Sequence, residues 1–410
     1  MYIFPGYTEH YEKDGAIFIT SNLRKNTVKL TDPSIQEEFR SIIRRGGCSK
    51  LSTPLAKLLH EQELLENTDE IKLALEEVKE LLERSIILII MPTEGCNFRC
   101  PYCYEDHTPI SMTRQMLDQI QTYISEQVPK FQSVVINWFG GEPTLCKDII
   151  LETSTLVQSL QYKHHFQYNA GMTTNGYLLN LNNFQQFYAA GITNYQITLD
   201  GWNHDQTRPH VSGKGTLQTI LSNLKDISSL SSEKFPFHII LRHNILAGDQ
   251  DYSWYDYLYD LFGMDKRFSV SVKAIGNLGG ETVTSLNLLE GSQKEPIISA
   301  HIAYLTKLGM NQEDNSDLLL SRICYASYPH ELVFRADGKI EKCTVAMNHP
   351  KNLVGRLDPI NGIVLNESIN QSWCCSNLNE KCYTCPDILS CLNMACRRRC
   401  IINGNEFSCT

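Results

Sequence analysis

Two hydrophobic periodicities alternate along most of this chain. Short apolar, β-branched runs at 86–91, 134–139, 166–172, 195–199, 238–244 and 268–274 read as buried strands. Between and after them, near 113–128, 147–160, 182–190, 216–230, 253–262 and 293–308, apolar residues recur at helical spacing. Six such βα units predict an α/β fold, a parallel sheet covered by helices and curved into a partial, TIM-like (β/α)6 barrel. Its chemistry is expected at the carboxyl ends of the strands.

The flanks read differently. Upstream, 16–20 and 27–30 alternate as a hairpin, and amphipathic helices follow at 35–44, 53–59 and 68–84. A hairpin with three helices has a winged-helix-like outline; a cap packed on the main domain is the alternative. Downstream of about 314 the alternation stops and a loop-rich region begins. There 332–335 and 339–342 flank Ala336-Asp337-Gly338, a hairpin signal. The expected regions are therefore 1–84, 85–313 and 314–410, with metal ligation holding the last together.

Composition narrows the function. The 410 residues are 42% hydrophobic and 20% charged, an ordinary globular balance. A net charge of -9 disfavours nucleic acid, although Arg397, Arg398 and Arg399 form a small basic run. The start carries acids and lacks the apolar core of a signal peptide, and the apolar run at 86–91 is too short to span a bilayer. A cytoplasmic protein without membrane contact is expected.

The cysteines change the picture most. Of fifteen, three are Cys96, Cys100 and Cys103, ten lie from Cys324 to Cys409, and only Cys48 and Cys146 stand apart. Scattered core cysteines would not cluster this way, and a reducing compartment disfavours disulfides. Thiolate-rich ligand spacing with few nearby histidines points to iron-sulfur clusters or zinc. Three thiolates at x3 and x2 spacing, directly after the first barrel strand, can hold three irons of a four-iron cluster and leave the fourth open. A zinc knuckle is the alternative.

This loop, with Gly140-Gly141-Glu142-Pro143 after the second strand, Thr174-Asn175 after the third and Thr198 with Asp200 closing the fourth, resembles the radical S-adenosylmethionine superfamily. The resemblance implies a [4Fe-4S] cluster on Cys96, Cys100 and Cys103, whose open iron binds S-adenosylmethionine and whose electron cleaves it to a 5′-deoxyadenosyl radical. It further implies that the glycine-rich turn and Glu142 hold the cofactor's amino group, that Thr174, Asn175, Thr198 and Asp200 contact ribose or carboxylate, that Arg242 pairs with the methionine carboxylate, and that Tyr102 lies beside the adenine. The segment His204-Asp205, Arg208 and Gly213-Lys214-Gly215-Thr216 resembles one common in the peptide-modifying branch. Its bland alternative is a helix cap within a solvated charge cluster.

The distal cysteines resemble the SPASM extension of the same superfamily, which carries two auxiliary four-iron clusters. By that pattern Cys324, Cys343 and Cys396 would ligate the first, and Cys382, Cys385, Cys391 and Cys409 the second. Cys374, Cys375 and Cys400 are extra thiols the pattern does not place, and Cys374 or Cys375 could complete the first cluster. Zinc ribbons are the alternative.

Taken together, the resemblance implies a maturase of ribosomally made peptides. It would take a precursor peptide with a leader sequence and a one-electron reductant of flavodoxin or ferredoxin type, and would form a thioether between a cysteine sulfur and a carbon of another residue. Formylglycine formation in a sulfatase, carbon-carbon cross-linking and epimerisation would use the same parts. A metal-bearing electron carrier or binding module would leave the strand-end turns unexplained.

Overall fold

The computed structural model describes residues 1–280, 282–310, 323–374, 383–385, 396, 398 and 401–402. They divide into two compact units, one built on Met1–Arg84 with the described parts of 315–329 and 370–410, the other on Ser85–Asp314 and His330–Ile369.

In the first unit, strands β1 (Thr8–Lys13), β2 (Ala16–Ser21) and β3 (Thr27–Leu30) form an antiparallel sheet in that order. Helices α1 (Pro33–Arg44), α2 (Pro54–Glu61) and α3 (Thr68–Glu83) follow. Ile17, Ile19, Val28 and Leu30 bury one sheet face against Phe39, Ile42, Leu55 and Leu59. Asp32 caps α1 through the Ser34 and Ile35 amides, and Asn67 with Glu70 forms a capping box on α3. Strand β1 has no apolar alternation to announce it, because its residues are almost all exposed at the sheet edge.

The second unit is organised by one ten-stranded sheet. Its parallel strands are β4 (Ser85–Ile90), β5 (Ser133–Trp138), β6 (Gln167–Thr174), β7 (Ile192–Thr198), β8 (His238–Ile245) and β9 (Phe268–Ala274), hydrogen-bonded in sequence order. Helices α4 (Arg114–Gln127), α5 (Lys147–His164), α6 (Leu181–Ala189), α7 (Leu217–Ser228), α8 (Ser253–Phe262) and α9 (Lys294–Leu308) alternate with them. All six residues of β4 are buried, as the uninterrupted apolar run that follows Ser85 requires.

Strand β9 does not close the sheet onto β4. Instead β10 (His330–Phe334) pairs in parallel with the free edge of β4, Leu332 opposite Leu88. The antiparallel strands β11 (Lys339–Glu341), β12 (Leu353–Asp358) and β13 (Gly362–Leu365) extend it further. The β10–β11 hairpin turns through Gly338, whose φ of 85° suits glycine. Leu332, Val333, Phe334, Ile340 and Val354 are buried, so this stretch packs on the sheet through apolar side chains. Among the described residues no helix is long and apolar enough to cross a membrane.

Candidate active site

Parallel alignment brings the ends of β4 to β8 to one edge, and the cysteine loop lies across it. Leaving β4, the chain is anchored by Thr93 Oγ1 and the Glu94 amide, both donating to the Ile110 carbonyl. Further along, the Arg99 amide donates to Pro209 O (2.9 Å) and the Val211 amide to Asn97 O (2.9 Å), tying the loop to the segment after β7. Cys96 Sγ accepts from the Phe98 amide. Burial pushes the Cys96 and Cys103 thiols up to about 12 and raises Cys100 as well. The Arg208 cation works the other way on Cys96 and Cys100. Thiolate ligation therefore needs a metal to take the protons' place.

The glycine-rich turn after β5 packs directly on this loop. The Glu142 amide donates to Gly95 O (2.9 Å) and the Gly141 amide to Thr93 O (3.3 Å). A Cβ on Gly141 would lie 2.3 Å from Gly95 O, and one on Gly140, whose φ is 104°, 2.5 Å from Thr93 O. The paired glycines are thus a packing requirement. Glu142 is fully buried, and its carboxylate accepts from the Thr144 amide and hydroxyl, from Thr174 Oγ1 (2.7 Å) and from the Asn175 amide (2.7 Å). Burial raises its pKa and these four donors oppose the rise. Asn175 in turn donates to Asn97 Oδ1 (2.7 Å), so the turns after β5 and β6 are latched to each other and to the cysteine loop.

A second polar network spans the ends of β7 and β8. Tyr102 donates to Asp200 Oδ2 (2.5 Å) and accepts from Arg208 Nη1 (2.8 Å) and Asn244 Nδ2 (3.4 Å). Thr207 also donates to Asp200 Oδ2 (2.9 Å), and Arg242 Nε donates to Asn244 Oδ1 (2.8 Å). Thr198 and Arg242 stand opposite each other across β7 and β8. Burial opposes the charge on Arg208, but Tyr102, Cys100 and Asp200 outweigh it and the cation is held. Asp200 Oδ1, Arg208 Nε and His204 Nε2 are buried and lack a hydrogen-bond partner among the described residues. Unpaired buried polar atoms are costly, so three at one rim mark a place that a polar ligand would complete.

The sequence candidates Cys96, Cys100, Cys103, Tyr102, Gly140, Gly141, Glu142, Pro143, Thr174, Asn175, Thr198, Asp200 and Arg242 all lie at this one edge. Glu142, expected to meet an amino group, has both oxygens engaged by its own chain. Sequence reasoning underrated Arg208 and missed Asn97 and Asn244. Arg208 was visible only as part of a charged cluster, yet it is buried, with its guanidinium 5.6 Å from the Phe98 ring centroid. Asp205 in that cluster does serve as a helix cap, accepting from the amides of Thr216 (2.7 Å) and Leu217 (2.9 Å) at the start of α7.

Of the distal cysteines, Cys343 is buried just after β11, its amide donating to Asn352 Oδ1 (2.8 Å). Cys324, Cys374, Cys385 and Cys396 fall in the other unit. Cys382, Cys391 and Cys409, with Cys375 and Cys400, lie outside the described residues. Among the described residues no group of three or more His, Cys, Asp or Glu side chains converges as a ready ligand set for a single ion.

Residues 90–246 match the family model of the Radical SAM superfamily, and the chain carries a radical SAM domain there. The GTP 3′,8-cyclase of Haemophilus ducreyi is 27% identical over 217 residues, 50% of this chain and 60% of that protein. The chain thus spans less than two thirds of that relative's length. Among solved structures, native anSMEcpe with bound AdoMet and Cp18Cys peptide has a TM-score of 0.48 at 18% identity, covering 66% of this chain and 77% of that one. SuiB of Streptococcus suis bound to precursor peptide SuiA has a TM-score of 0.47 at 13% identity, covering 86% of each. The family implies a [4Fe-4S] cluster and S-adenosylmethionine. Three thiols on one loop, beside buried polar atoms without partners, fit both.

Proposed function

We propose that this chain is a radical S-adenosylmethionine peptide maturase that joins a cysteine sulfur of a ribosomally made precursor to a carbon of another residue as a thioether. The observation that carries the radical chemistry is the meeting of the cysteine loop with the turns after β5, β6 and β7 at one sheet edge. Cys96, Cys100 and Cys103 would hold the cluster. Tyr102, the turn from Gly140 to Pro143, Thr174, Asn175, Thr198, Asp200 and Arg242 would surround S-adenosylmethionine. When bound, cluster and cofactor together supply the 5′-deoxyadenosyl radical.

The chain's own part is to bind, orient and exclude water. The buried Glu142 latch sets the spacing of two turns, and Arg208 offers a fixed positive charge beside Cys100. The peptide part of the reading rests on the SPASM-like spacing of Cys324, Cys343, Cys382, Cys385, Cys391, Cys396 and Cys409, which would carry two auxiliary clusters within 314–410. It is supported by the exposed edge strand β1, to which a leader peptide could add as a further strand of the 1–84 region. A flavodoxin- or ferredoxin-type protein would supply electrons.

The name of the cyclase relative favours a second reading, action on GTP. Anaerobic reconstitution separates the two. With S-adenosylmethionine, dithionite and a cysteine-containing precursor, the peptide should lose the mass of two hydrogen atoms while 5′-deoxyadenosine accumulates, and Cys100→Ala should abolish both. Consumption of GTP with the peptide untouched would establish the second reading instead.

A further inference from the structure

The loop that carries Cys96 and the β10–β11 hairpin lie 241 residues apart in the sequence, yet meet in a buried, two-pronged ion pair. Arg335 Nε donates to Glu94 Oε1 (2.9 Å) and Nη2 to Glu94 Oε2 (2.6 Å), with both side chains 5% exposed or less. The remaining arm, Nη1, donates to Asn348 Oδ1 (2.9 Å) and lies 3.7 Å from the buried Glu341. Asn348 holds its place by donating its amide to Glu341 Oε1 (2.9 Å), and its side-chain amide reaches Asp106 Oδ2 (3.4 Å). One guanidinium therefore touches the chain two residues before Cys96, and its partner touches the chain three residues after Cys103.

A paired fork of this kind constrains direction as well as distance, which a lysine ammonium cannot do. The parallel pairing of β10 with β4 makes the contact possible, since it sets the turn after one strand beside the turn after the other. We infer that Arg335 is a positioning residue for the cysteine loop, fixing its entry through Glu94 and its exit through Asn348 and Asp106. The same contacts join that loop to the hairpin that precedes Cys343.

The inference rests on the reading that the loop holds a cluster, so reconstituted wild-type protein is the reference. Its reduced EPR spectrum should change when S-adenosylmethionine is added; an absent response would overturn the reading itself. Given that response, Arg335→Lys keeps the charge but loses the fork, and the S-adenosylmethionine concentration at half-response should rise about tenfold or more. Asn348→Gly is the second variant: Asn348 is exposed with φ of 63°, which glycine adopts freely, so the backbone turn is kept while the links from Arg335 Nη1 and to Asp106 are both cut. Its half-response should shift the same way by a smaller factor. Should Arg335→Lys fail to fold, Asn348→Gly alone decides. A folded Arg335→Lys, or Asn348→Gly, with the wild-type half-response would overturn the positioning role.

Discussion

Gly141→Ala tests the packing of the glycine-rich turn on the cysteine loop with a single methyl group. The new Cβ would lie 2.3 Å from Gly95 O and 2.5 Å from Glu94 O, whereas ordinary contact begins at 3.4 Å. One side must therefore retreat by about 1 Å, and misplacement on that scale can lower a rate about a hundredfold. Neither neighbour is a flexible side-chain end. Both are backbone carbonyls of the loop, and Gly95 O already accepts from the Glu142 amide at 2.9 Å. The overpacking itself should cost about 1–3 kcal/mol, leaving a folded protein. Gly276→Ala is the control, because its nearest neighbour would be 3.9 Å away and its backbone is not left-handed. Iron per chain, 5′-deoxyadenosine formation and thermal melting should be compared for the three proteins. Gly141→Ala should retain a cooperative melt and lose iron or turnover, while Gly276→Ala matches wild type. Wild-type iron and turnover in Gly141→Ala would show that the loop does not depend on this contact.

Three further outcomes concern stability. Burial, aided by the Arg208 cation, holds the His204 imidazole down at about 3 against an ordinary 6.5. The folded chain thus excludes a proton that the unfolded chain takes up. Stability from this group is present above pH 6.5 and is lost as pH falls toward 3, at about 1.4 kcal/mol per unit, or about 2 kcal/mol by pH 5. Urea unfolding at pH 7 and pH 5 should show a smaller loss in His204→Gln than in wild type, and equal losses would refute the assignment. Lys342 and Glu331 are both fully buried, with Nζ 3.5 Å from Oε2. Lys342→Met should cost about 3–5 kcal/mol by stranding the carboxylate. Lys342→Met with Glu331→Leu should recover most of that in a thermal melt, and a double variant no better than the single would contradict the pairing. Asp205→Ala removes the acceptor for the first amides of α7 and should cost about 0.5–2 kcal/mol. An unchanged melting temperature would show that the cap contributes nothing.

What the sequence determined by itself was local in origin. Strand and helix periodicities are written in consecutive side chains, so the observed elements of the βα region lie within a few residues of 86–91, 134–139 and their successors. Cys96, Gly140, Thr174 and Asp200 could be read as one edge because parallel strands joined by helices must end on the same side. Only the tertiary structure decided the rest. Polar β1 carries no alternation because its strand face never enters the core, and it becomes a strand only by pairing with β2. The insertion of β10 beside β4 depends on which sheet edge remains open once six strands are aligned, and no short window of sequence states that. Arg208 and Arg335 look like surface charges in isolation. Each is buried because a distant partner, Tyr102 or Glu94, arrives with the matching hydrogen-bond geometry, and desolvating an arginine is tolerable only once that partner is in place.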